Sequence, residues 1–77
     1  MTNDFPYIDI AKECIKILKS LEIAYPSNIH EWCSHLNVVG GYLNLYSKYS
    51  KPEYYDKLVK FTDIANNYII NWIKTNV

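Results

Sequence analysis

The chain has 77 residues, enough for one domain, and its eight lysines balance its eight acidic side chains at zero net charge. That balance gives no electrostatic steering toward nucleic acid or an anionic membrane, and there is no arginine to read phosphates or guanine edges. A single core of this size supplies only about 3–5 kcal/mol, so a staple or a partner subunit is expected to help.

The first helix is expected from about Pro6 to Leu21. Proline suits a first helical turn, where its missing N–H costs nothing. Ile8, Ala11, Ile15 and Leu18 form one apolar row, and Ile10, Cys14, Ile17 and Leu21 form its neighbour. Asp9, Lys12, Glu13, Lys16 and Lys19 take the opposite side. Tyr25 precedes Pro26 and is thereby pushed out of the helical region, which ends the connection to the next element.

The second helix is expected from Asn28 or Ile29 to Tyr49. Asn28 and Glu31 have the spacing of a capping box. Ile29, Trp32, Leu36, Val39, Leu43 and Tyr46 recur at alternating steps of three and four, a heptad-like seam. Val38, Tyr42, Leu45 and Tyr49 add a second row. From Trp32 to Ser47 there is no charged side chain. Surface helices normally carry Lys or Glu on their wet side, so this helix reads as central, meeting protein on most sides. Gly40-Gly41 lies in its middle, and each glycine costs a helix about 1 kcal/mol relative to alanine. The pair either breaks the helix or is retained for close packing. In the continuous reading, favoured here, a hairpin turning at Ser50-Lys51 sets the glycines opposite Lys60 and Phe61, with Phe61 filling the space they leave.

The third helix is expected from Pro52 to about residue 75. Ser50-Lys51-Pro52-Glu53 has capping-box spacing with proline in the first turn. Leu58, Phe61, Ala65, Tyr68 and Trp72 form its inner row, with Tyr55, Thr62, Ile69 and Ile73 beside it. Charge disappears again from Ile64 to Ile73, a stretch the hairpin sets beside the uncharged start of the second helix. The expected fold is all-α, a three-helix up-down-up bundle dominated by a long antiparallel hairpin of about 29–49 and 52–75 in a single domain.

No segment approaches the roughly 20 apolar residues of a membrane span. Asp4, Pro6 and Asp9 interrupt the start before any secretory apolar run, so a cytoplasmic protein with reduced Cys14 and Cys33 is expected. Candidate chemistry is thin. His30-Glu31-Trp32-Cys33-Ser34-His35 misses the HExxH zinc pattern, because its histidines are five apart and diverge by about 140° around a helix. Cys33 and His35, two apart, point to opposite sides. No metal, no cofactor and no catalytic residue is expected.

The positive signal is aromatic. Tyr42, Tyr46 and Tyr49 rise along the second helix, and Tyr54 and Tyr55 follow across the turn, with Lys48, Lys51 and Lys57 interspersed. Tyrosine joins a rigid apolar ring to a polar tip and is frequent at protein contact surfaces. The same rings also serve to close the end of a small bundle. The leading functional expectation is a non-enzymatic interaction module, an adaptor or inhibitor of phage or mobile-element type. It would bind a larger host protein through Tyr42, Tyr46, Tyr49, Tyr54, Tyr55, Lys48 and Lys51, and pair as a homodimer through the second helix or the hairpin. Two alternatives stand beside it: a small-molecule or nucleotide binder with a site between subunits, and a nucleic-acid accessory protein, which the charge balance disfavours.

Overall fold

The computed structural model describes residues 6–77. Asp4, used above against a secretory leader, lies outside the described residues. Three helices follow in order: α1 (Pro6–Ala24), α2 (Ile29–Tyr49) and α3 (Pro52–Asn76), with a short 3-10 turn at Pro26–Asn28 between the first two. This is the expected all-α, three-helix bundle, and the α2–α3 hairpin has the expected bounds to within a residue or two. α1 runs three residues beyond Leu21. Its hydrogen-bond ladder continues through Tyr25 N–H to the Leu21 carbonyl at 2.7 Å. It stops where Pro26 forces Tyr25 to φ −132° and ψ 69°.

Neither expected capping box forms. Asn28 sits at φ −104° and ψ 22°, inside the 3-10 turn rather than in the extended conformation an N-cap side chain needs, and it makes no capping hydrogen bond. Ser50 ends α2 instead of starting α3. It takes the left-handed conformation (φ 54°, ψ 31°), and its N–H donates to the Tyr46 carbonyl at 2.8 Å. Lys51, extended at φ −81° and ψ 134°, becomes the residue before α3, and its carbonyl accepts from Tyr54 N–H at 3.0 Å. Two residues therefore reverse the chain, and that tight turn sets the hairpin register.

The core draws on all three helices: Ala11, Cys14, Leu18 and Leu21 from α1, Trp32 and Val39 from α2, and Leu58, Thr62, Ala65 and Ile69 from α3. The apolar rows of α1 do not share this burial equally. Ile8 and Ile15 pack against the core on one flank, whereas Ile10 and Ile17 on the other remain exposed.

α2 corrects two expectations. Its outward residues Ser34, Asn37, Gly41 and Asn44 are exposed, so the missing charge does not mean enclosure. Small uncharged polar groups meet water there instead. The helix runs unbroken through Gly40-Gly41, as favoured above, but the packing role given to the pair is not seen. A Cβ built at either glycine meets nothing within 4 Å, so they form no packing notch. Phe61 lies flat on Tyr42 instead, with ring centroids 5.4 Å apart and planes 1° apart.

One polar group in the core is unpartnered. Thr62 is fully buried, and among the described residues its hydroxyl finds no hydrogen-bond partner. A buried, unpaired hydroxyl costs about 1–3 kcal/mol, and valine replaces it with a methyl of nearly the same shape. Thr62→Val is therefore expected to stabilise the bundle by about 1 kcal/mol. Urea denaturation at equilibrium measures it as a raised midpoint with an unchanged slope.

Candidate protein-interaction surface

The turn at Ser50-Lys51 brings the sequence-predicted tyrosines together in a ladder across the hairpin. Tyr42, Tyr46 and Tyr49 lie on one side of α2 at steps of four and three. Each meets a ring of α3: Tyr42 with Phe61, Tyr46 with Tyr55 at 5.4 Å, and Tyr49 with Tyr54 at 6.2 Å, the last two tilted by 54° and 51°. Such pairs contribute about 0.5–1.5 kcal/mol each beyond their area burial, so the ladder helps hold the hairpin end closed. Tyr7 N–H donates to the Tyr55 hydroxyl at 3.4 Å, which ties the start of α1 to the same end.

The ladder spends most of its aromatic surface on itself. Tyr42, Tyr46, Tyr54 and Tyr55 are half-buried, whereas Tyr49 is 52% exposed. The Lys48 ammonium lies 5.4 Å from the Tyr49 ring centroid, within cation–π range. Lys51 is exposed at the turn, beside Glu53, and Lys57 and Asp56 are exposed one turn further on. The outward part of the predicted site is therefore a small display: Tyr49 with Lys48 over it, the edge of Tyr54, and Lys51.

A second aromatic cluster lies at the opposite end. Trp32 is fully enclosed and meets Trp72 at 5.1 Å and Tyr68 at 5.7 Å, both edge-on, while Tyr25 meets Trp72 at 4.6 Å. Trp32 Nε1–H donates to the Tyr25 carbonyl at 3.1 Å, clamping the α1–α2 turn to α2, while the Tyr25–Trp72 contact joins that turn to the end of α3. The sequence placed Trp32 and Trp72 in separate apolar rows. Nothing local signalled that Tyr25 would join them, because that contact exists only once the turn has formed.

The reactive side chains are held in unreactive settings. Cys14 and Cys33 are both free thiols. Burial pushes the Cys14 thiol up to about 11. Cys33 Sγ–H donates to Glu22 Oε2 at 3.4 Å, and that bond, with burial and the carboxylate's charge, raises its pKa as well. Thiolate character is low in both. Burial lowers the pKa of His35, which lies 4.9 Å from the Tyr68 ring, against the opposing pull of Glu31. His30 is exposed on a different side of α2. The Tyr7 hydroxyl donates to Asp63 Oδ1 at 2.9 Å, and this bond is the main cause of its raised pKa. Among the described residues no three His, Cys, Asp or Glu side chains converge as metal ligands, and no helix is long and apolar enough to cross a membrane. The chain matches no family model, no curated protein and no solved structure.

Proposed function

We propose that this protein is a non-enzymatic interaction module that engages a larger protein through the tyrosine-rich hairpin end. The observation that carries this reading is Tyr49. It is a large ring left half in solvent at the tip of a rigid aromatic ladder, with a lysine already placed over its face. A rigid aromatic anchor loses little conformational entropy on binding, which suits it to fill a pocket on a partner. In this reading the protein acts in the cytoplasm as an adaptor or inhibitor. Its lysine-only basic complement fits products of phages and mobile elements that act on a host machine, an argument by association.

Nucleotide or nucleic-acid stacking has less support. All the rings of the ladder, Tyr49 included, are paired across the hairpin, and Glu53 and Asp56 offset Lys48 and Lys51 at the same end. The test is capture of a partner from cell extract by the tagged protein and by its Tyr49→Ala and Tyr54→Ala variants. Both variants should keep wild-type helix content, and Tyr49→Ala should lose capture by tenfold or more, about 1.4 kcal/mol or above. Undiminished capture by both folded variants would place binding elsewhere.

A further inference from the structure

We propose that the outer face between α1 and α3 is a self-association surface, on which a second copy of this chain packs antiparallel about a two-fold axis. α1 and α3 run in the same direction, and the Tyr7–Asp63 hydrogen bond sets their register. Advancing along both helices brings Ile10 level with Asn66 and Ile17 level with Ile73. A shallow groove of about 300 Å³ runs there, lined by Asp9, Ile10, Glu13, Cys14, Ile17 and Asn66. Ile70 and Ile73, one and two helical turns beyond Asn66, lie on the same side of α3.

Ile10, Ile17, Ile70 and Ile73 are each about two-fifths to a half exposed. Scattered apolar residues at a surface are ordinary, but Ile10 and Ile17 line the groove, and Ile70 and Ile73 share the side of α3 that Asn66 presents to it, so four β-branched side chains fall on one face. Among the described residues the chain's own connections do not cover it: the 3-10 turn and the Ser50-Lys51 reversal both join α2 to its neighbours.

Charge and area select a second copy as the occupant. Asp63 stands at one end of the face, and Lys74, one turn beyond Ile70, stands at the other. Antiparallel two-fold pairing sets the acidic end of each copy against the lysine end of the other, so the surface is complementary to itself. Glu13, near the middle of the rim, carries its own counter-charge in Lys16 at 3.6 Å. Two helices side by side present a face ~28 Å long and ~20 Å wide, or roughly 1,100 Å² over two copies, which reaches the lower bound for a specific interface.

The face is separate from the tyrosine-rich end, and its test does not depend on the reading given to that end. Light scattering on a sizing column over a hundredfold concentration range reads the mass directly. The wild type should show the mass of two chains at the top of the range and fall toward one chain on dilution. Ile17→Lys and Ile70→Lys, at exposed positions, should keep wild-type helix content and stay at one chain throughout. Lys74→Glu should weaken association about tenfold. A wild type of one-chain mass at every concentration would overturn the proposal. So would a dimer that survives both isoleucine substitutions, or one abolished only by Val38→Lys on the outer side of α2.

Discussion

Replacing Trp32 with alanine should cost about 3–5 kcal/mol and leave the chain without a cooperative folded state at room temperature. A domain of this size has only about that much stability to lose. The indole is fully buried and is the largest side chain in the core. Its edge-on contacts with Trp72 and Tyr68 disappear together with its hydrogen bond to the Tyr25 carbonyl. The cavity cannot close readily, because the rings against Trp32, those of Tyr68 and Trp72, are fixed on α3, and Tyr25 braces Trp72 from the α1–α2 turn.

Trp32→Phe separates packing from hydrogen bonding. It keeps an aromatic ring and drops the N–H, while the Tyr25 carbonyl retains its second donor, Asn28 N–H at 3.1 Å. The hydrogen-bond part of its loss should be about 1 kcal/mol, since no acceptor is orphaned, and the smaller ring adds a partial cavity cost. Near-ultraviolet circular dichroism and urea denaturation of both variants check the prediction. A cooperative Trp32→Ala variant with stability close to wild type would mean that the cluster is peripheral.

The largest expected gain lies at Gly40-Gly41. Both residues are helical, neither has positive φ, and an added Cβ meets nothing within 4 Å at either position. The helix therefore bears the entropic cost of two glycines with no compensating contact in the monomer. Gly40→Ala with Gly41→Ala should stabilise the bundle by about 2 kcal/mol. For a domain of this length that is roughly 8–15 °C in Tm. Thermal unfolding at low concentration measures it. A loss in Tm would show that the glycines permit a close approach. If that loss grew with protein concentration, the approach would be to another copy across α2, against the α1–α3 pairing proposed above.

How far the sequence revealed the fold depended on how local each signal was. The amphipathic rows of α1 and α3 identify both helices and most of their buried residues, because a 3.6-residue period translates directly into one face. The reversal at Ser50-Lys51 is legible from Pro52, and with it the gathering of Tyr54 and Tyr55 near Tyr42, Tyr46 and Tyr49, but which ring meets which follows from the packing of the two helices. The caps were not legible. Asn28 and Ser50 have suitable side chains, but the 3-10 turn and the left-handed Ser50 take them out of capping geometry.

The charge gap in α2 misled for a different reason. Charge is one way to wet a helix, and Ser34, Asn37 and Asn44 supply another. Conversely, the exposed strip on α1 was hidden in plain periodicity. Ile10 and Ile17 share a row with the buried Cys14 and Leu21, and only the angle at which α3 packs decides which of these side chains it covers.

The most direct test of the proposed interaction module and of its two proposed surfaces is site-specific photo-crosslinking in the cells that make the protein. A photoreactive residue replaces Tyr49 in one experiment and Ile17 in another. Position 49 should yield an adduct heavier than two chains, containing a different and larger protein. Position 17 should yield an adduct of two copies of this chain. An absence of any heavier adduct at position 49, or the same adduct from both positions, would contradict the account.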